Sequence, residues 1–182
     1  MSDYFELFGI PRSLNISLDD LQRRFYELSR QLHPDRFVRK PEAERQRALD
    51  MSSALNDANR TLKDPIQRAQ YLLKLEGFEI GEQGSKDVPP ELLEEVFELN
   101  MALEELRGGD SSARPQLEQA EANFTGMLGE VHQQLLGLFE KYDSEHSRDT
   151  LAAIRGVLNR RKYIQNLLNE VHAELAPQAQ SN

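Results

Sequence analysis

Residues 30–44, RQLHPDRFVRKPEAE, decide how the first part of this 182-residue chain folds, because they join two helical segments through a short polar turn. The segments on both sides carry apolar residues at alternating spacings of three and four, which is typical of a helix with one buried face. Two such helices with a short connection pack as an antiparallel hairpin, and its tip would carry His33, Pro34 and Asp35. The two predicted apolar stripes are Leu18, Leu21, Phe25, Leu28 and Leu32 before the turn, and Ala48, Met51, Leu55, Ala58 and Leu62 after it.

Two further helices are predicted in this part of the chain. A short one covers residues 3–8, and a fourth begins at Asp64-Pro65, where proline suits the first helical position. Ser17 precedes the first helix of the hairpin, and its hydroxyl can cap the free N–H groups there.

A stretch rich in glycine and proline, residues 77–90 (GFEIGEQGSKDVPP), marks a boundary. The sequence predicts a first domain of residues 1–76, a linker of residues 77–89 and a second domain of residues 90–182. Three amphipathic helices with short polar connections follow the linker, which is typical of an antiparallel three-helix bundle. No segment alternates as a strand would, so the predicted fold is all-α.

Charge divides the chain at the same place. Residues 1–76 hold 13 Lys and Arg against 12 Asp and Glu, whereas residues 77–182 hold 9 against 19. The acidic part argues against nucleic acid as a partner, because it would repel phosphates. With no cysteine, the chain forms no disulfide and offers no thiolate to a metal. No apolar run resembles a signal or a membrane span, so we expect a cytoplasmic protein without a membrane partner.

The His33-Pro34-Asp35 tripeptide allows several interpretations. A catalytic site would need a sheltered pocket, and the proline is expected to keep the two side chains apart. The sequence has no phosphate-binding loop, zinc-protease motif or nucleophile elbow. A metal would find only two ligands here, and the other histidines lack ligand-like spacing. We therefore expect no enzyme activity, no metal and no cofactor.

Two interpretations of the tripeptide remain. It is an ordinary turn, in which Pro34 ends a helix and Asp35 caps the loop, or it is a surface for protein recognition. Arg23, Arg24 and Arg30 lie off the apolar stripe of the preceding helix and are expected to face solvent. A basic helix beside a polar loop suits recognition of an acidic protein surface.

The order of a short helix, a basic helix, His-Pro-Asp and a long helix resembles the J domain. Four stretches also resemble the HscB family of J-protein co-chaperones: DYFELFGIP (3–11), LHPDRF (32–37), LNDANRTLKDPIQRAQYLL (55–73) and LEGFE (75–79). The resemblance extends to the acidic bundle. It implies a co-chaperone that stimulates the ATPase of a heat-shock-cognate chaperone (HscA-like) and delivers an iron–sulfur cluster scaffold protein (IscU-like) to it. The alternative is a general J protein that serves a different client.

The resemblance also assigns residues to the two partners. The chaperone-binding set would be His33, Pro34, Asp35, Arg23, Arg24 and Arg30. Arg36 departs from the lysine that many J domains have after the aspartate, which keeps the charge and changes the shape.

The first helix of the second domain carries an additional apolar stripe. The stripe assigned to the core is Leu92, Val96, Leu99, Leu103 and Leu106. Leu93, Phe97 and Met101 lie about 100–180° away from that core stripe. They are either part of a broad buried face, scattered surface residues, or a docking patch with an acidic rim. The resemblance implies that this helix, with an aromatic residue on the last helix, binds the scaffold. The matching positions are Leu93, Phe97, Glu98, Met101 and Tyr163.

Overall fold

A computed structural model describes residues 3–79 and 88–176 of the chain, and all regular structure in these two ranges is helical. The all-α prediction is confirmed. None of the helices in these ranges has an apolar stretch long enough to cross a membrane. The helices are α1 (Tyr4–Phe8), α2 (Leu18–Gln31), α3 (Glu42–Lys63), α4 (Pro65–Leu75), α5 (Leu93–Arg107), α6 (Arg114–Glu145) and α7 (Arg148–Leu175), with 3₁₀ turns at Pro34–Phe37, Pro90–Leu92 and Ser111–Ala113.

The predicted hairpin is formed by α2 and α3, which pack against each other. Ser17 caps α2 as expected, because its hydroxyl oxygen accepts the Asp20 N–H at 3.2 Å. Two residues of the predicted stripes are exposed, Leu18 at 51% and Met51 at 47%. Phe25, Leu28 and Leu32 are half-buried. Leu18 is the first residue of α2, so it lies at the margin of the contact with α3. The buried part of the hairpin core is Leu21, Ala48, Leu55, Ala58 and Leu62.

The short helix α1 packs against α2 and α3, and its aromatic residues join it to α4. The Tyr4 ring stacks on Tyr71 with ring centroids 4.4 Å apart, and the Tyr4 N–H donates to the Tyr71 hydroxyl oxygen at 2.9 Å. Gly77 follows α4 with a φ of 79°, and its N–H donates to the Lys74 carbonyl at 3.1 Å. Only glycine adopts this conformation without strain, which explains why the helix ends here. Most of the predicted linker lies outside the described residues.

The helices α5, α6 and α7 form the predicted three-helix bundle. Arg107 at the end of α5 pairs with Glu174 at the end of α7 at 2.6 Å, so these helices run in the same direction. Arg114 at the start of α6 donates to the Leu175 carbonyl at 3.2 Å, so α6 runs opposite to both. The bundle core includes Leu92, Leu99, Leu103, Leu117, Phe124, Val131, Leu135, Ile154, Leu158, Ile164, Leu168 and Val171.

Contacts group the chain into two compact units. The first unit is Met1–Ile80 together with Phe139–Leu151, and the second is Gly81–Leu138 together with Ala152–Asn182. The turn between α6 and α7 thus groups with the first part of the chain, whereas the sequence analysis placed all of both helices in the second domain. Phe139 in this segment is only 2% exposed.

Candidate protein-interaction surfaces

The His33-Pro34-Asp35 loop connects α2 to α3, and Pro34–Phe37 forms a single 3₁₀ turn there. The side chains of His33 and Asp35 are 60% and 86% exposed. The Asp35 N–H donates to the His33 Nδ1 at 3.4 Å, and this nitrogen lies 3.6 Å from the Asp35 Oδ2. The expectation that Pro34 keeps the two side chains apart was therefore wrong, because the tight turn brings Asp35 back towards the imidazole.

A shallow, open depression lies beside this loop. It is lined by Tyr26, Ser29, Arg30, His33 and Arg36. Tyr26 is 53% exposed, although sequence reasoning did not select it. The sequence feature that could have identified it is an aromatic residue directly beside the apolar stripe of α2. A shallow basic surface with an aromatic side chain can accommodate a protein segment, since Tyr and Arg are enriched where proteins bind each other.

The three predicted arginines of α2 differ in their surroundings. Arg30 is exposed and makes no ion pair or hydrogen bond with any residue that the structure describes. Arg23 pairs with Asp20 one turn earlier, and its side chain is 67% exposed. Hydrogen bonds from Arg23 and, to a lesser extent, from Arg24 lower the pKa of the Asp20 carboxyl, so this group is ionised at neutral pH.

Arg24 does not face solvent freely, which corrects the sequence analysis. Its Nε donates to the Asp20 Oδ2 at 2.8 Å, and its Nη1 donates to the carbonyls of Phe8 and Gly9 at 3.1 and 3.2 Å. These carbonyls lie at the end of α1, where helical hydrogen bonding stops and acceptors are left free. Arg24 therefore joins α1 to α2.

The additional stripe of α5 is a surface patch. Leu93, Phe97 and Met101 are 56%, 65% and 48% exposed, and Glu98 beside them is also exposed. The interpretation as a broad buried face was wrong for these residues. An open groove between α5 and α6 adjoins Met101 and Glu98, and its further lining includes Glu95, Glu105, Gln119 and Asn123.

Tyr163 lies on α7 and is partly buried. Burial raises the pKa of its hydroxyl, and the charge of Glu170 adds to this effect. The structure therefore exposes four of the five predicted scaffold-binding side chains along one helix and places the fifth on another.

Comparison with known proteins bears on both surfaces. Residues 3–71 match the DnaJ domain family, and residues 88–172 match the family described as the HSCB C-terminal oligomerisation domain. A DnaJ domain with His-Pro-Asp on an exposed turn makes this chain a J protein. Together with the second match and the solved structures below, it places the chain in the HscB family of J-protein co-chaperones.

Two solved structures are similar over nearly the whole chain. Chaperone HscB from Vibrio cholerae is 30% identical, the match covers 94% of this chain and 96% of that one, and the TM-score is 0.63. Human co-chaperone protein HscB is 27% identical, with 96% of this chain and 82% of that chain covered and a TM-score of 0.65.

Proposed function

We propose that this protein stimulates the ATPase of a heat-shock-cognate chaperone and delivers an iron–sulfur cluster scaffold protein to it. The observation that carries the proposal is the exposed His33–Asp35 turn on a DnaJ domain, within a chain whose remainder matches the second HscB domain. The chain supplies docking surfaces, and the chaperone carries out the ATP hydrolysis. This role needs no cofactor and no catalytic group of the chain, and we propose that the protein performs it in the cytoplasm.

The chaperone surface would combine one carboxylate with several cations. Asp35 is 86% exposed, and it can accept hydrogen bonds from a partner because its described polar contacts are only with His33. Arg30 and Arg36 border the depression beside it and would attract an acidic surface. Exposed charges of this kind accelerate encounter and fix orientation more than they add affinity. Arg23 belongs to the same surface, whereas Arg24 contributes by joining α2 to α1.

The scaffold surface would be the patch on α5. Leu93, Phe97 and Met101 offer adjacent apolar side chains at intervals of about one helical turn, and Glu98 provides a charge at their edge. An exposed apolar patch with a charged rim is typical of a protein-binding site. We include Tyr163 in this surface because the resemblance to the HscB family implies that an aromatic residue of the last helix contributes to it.

Steady-state ATP hydrolysis tests the proposal. The rate is measured for a heat-shock-cognate chaperone alone, with this protein, and with this protein plus an iron–sulfur scaffold. We expect this protein to raise the rate and the scaffold to raise it further. Hydrolysis by the chain without a chaperone would instead indicate an enzyme. Stimulation that no scaffold increases would favour the alternative, a general J protein with another client.

A further inference from the structure

The end of α6 and the start of α7 each carry a charge that the dipole of its own helix disfavours. Asp143 lies in the last turn of α6, and Arg148 is the first residue of α7. A helix dipole favours cations at the carboxyl end and anions at the amino end, so both charges are in the unfavourable place. Contacts elsewhere must offset this cost, and both residues make such contacts within the first compact unit.

Asp143 binds three consecutive residues of the loop between α1 and α2. Its Oδ1 accepts the Leu14 N–H at 2.8 Å, and its Oδ2 accepts the Asn15 N–H and the Ser13 hydroxyl, both at 2.8 Å. Hydrogen bonds to a carboxylate are stronger than those between neutral groups. A single side chain thus satisfies two backbone donors and a hydroxyl of a loop that has no helical hydrogen bonds of its own.

Arg68 holds the same loop from another side. Its Nε donates to the Leu14 carbonyl at 2.8 Å, and its Nη1 donates to the Leu62 carbonyl at 2.6 Å. Leu14 is fully buried, so its peptide groups depend on these protein partners. Burial lowers the pKa of Arg68. The negative charges of Asp64 and Asp143 oppose this effect, because they favour the charged guanidinium.

Arg148 holds the end of α4. Its Nη1 donates to the Glu76 carbonyl at 2.9 Å, and its guanidinium carbon lies 4.4 Å from the centre of the Phe78 ring. Glu76 directly follows α4, so this hydrogen bond satisfies a carbonyl that the helix leaves free. The contact with Phe78 adds a cation–π interaction.

We propose that the segment Phe139–Leu151 is a clamp within the first compact unit, in which Arg148 holds the end of α4 and Asp143 holds residues 13–15, and that Asp143 is a positioning residue for α2. The clamped loop leads directly to Ser17, which caps α2, and α2 ends at the His33–Asp35 turn. A more mobile loop would make the start of α2 more mobile as well. The chaperone-binding side chains would then be positioned less precisely. The consequence for chaperone binding rests on the proposed function, whereas the clamp itself does not.

Amide hydrogen exchange of the full chain tests the clamp. In Asp143→Ala, we expect the Leu14 and Asn15 amides to exchange at least tenfold faster, with the Leu99 amide of α5 unchanged. Glu145→Ala is the matched control, because Glu145 is an exposed carboxylate of the same turn. Asp143→Asn serves if the alanine variant does not fold, since it keeps only one acceptor oxygen and should speed exchange of at least one of the two amides. Unchanged exchange at both amides in the folded variant would overturn the clamp.

Chaperone stimulation by Asp143→Ala tests the positioning role. We expect the concentration for half-maximal stimulation to rise several-fold while the maximal rate is retained. If part of the variant were unfolded, the concentration of folded protein would fall in proportion. Circular dichroism measures the folded fraction, and the half-maximal concentration is corrected for it. Faster amide exchange with an unchanged half-maximal concentration would overturn the positioning role. If the wild-type chain stimulates no chaperone, the proposed function fails, and the exchange experiment still decides the clamp.

Discussion

The loops at the two ends of α2 are both polar, yet they differ in how their polar groups are satisfied. Residues 13–15 are held by Asp143 and Arg68, which come from distant parts of the chain. The side chains of His33 and Asp35 make hydrogen bonds and ion pairs only within the turn itself, among the residues that the structure describes. Because buried polar groups require partners and exposed ones do not, the first loop has a structural role and the second is free to bind another molecule.

The first prediction removes the hydrogen bonds that hold residues 13–15, and among the polar substitutions proposed here it should destabilise the fold most. Arg68→Met keeps much of the side-chain volume and removes both hydrogen bonds, so the carbonyls of Leu14 and Leu62 lose a buried donor. An unsatisfied buried group costs about 1–3 kcal/mol, and we expect a total loss of about 3 kcal/mol in the free energy of unfolding. Urea unfolding measures it.

Arg60→Met is the matched control for this prediction. Arg60 is 73% exposed and pairs with Asp57 on the surface of α3. Such pairs contribute about 0–1 kcal/mol, so the control should remain close to wild type. Equal losses in the two variants would mean that the hydrogen bonds of Arg68 do not hold the loop.

The second prediction applies the same distinction to two phenylalanines of the second unit. Phe97 is 65% exposed and Phe124 is 1% exposed. We expect Phe97→Ala to weaken scaffold binding by more than ~1 kcal/mol, as loss of a central apolar anchor does, with little change in stability. Phe124→Ala is the control and should destabilise the protein by about 3–5 kcal/mol. Isothermal titration with the scaffold and urea unfolding provide the two measurements, and scaffold affinity unaffected by Phe97→Ala would rule out the patch.

The third prediction separates Arg24 from Arg30. Arg24→Glu loses its bonds to α1 and places a second carboxylate near Asp20, so we expect a loss of about 1 kcal/mol in stability. Arg30→Glu should cost about 0.5 kcal/mol, since only a charge near the end of α2 changes. Chaperone binding at low and high salt distinguishes their roles. The defect of Arg30→Glu should shrink at high salt because exposed charges are screened, while part of the Arg24→Glu defect should persist.

A salt dependence that is the same for both arginine variants would contradict this difference.

On sequence alone the two arginines look equivalent, because both lie off the apolar stripe of one helix. The period of that stripe depends only on helix geometry, which is why the helices could be predicted and the additional stripe of α5 could be distinguished from its core stripe. The pairs Arg24–Gly9, Arg68–Leu14 and Asp143–Leu14 are 15, 54 and 129 residues apart along the chain, and no local pattern specifies such contacts.

The last prediction concerns the exposed turn and should change stability least. Asp35 is 86% exposed, and its contacts are with the adjacent His33. Replacing its carboxylate in Asp35→Asn should shift the free energy of unfolding by no more than about 0.5 kcal/mol, as is usual for a surface position. The same variant should abolish chaperone stimulation, because the proposed docking surface loses its exposed carboxylate. The thermal midpoint, helical circular dichroism and ATPase stimulation are compared with those of the wild type. A variant that unfolds would make Asp35 a structural cap of the turn, and one that stimulates fully would remove it from the docking surface. Loss of stimulation at unchanged stability is the combination that only a binding role explains, since a structural residue would alter both.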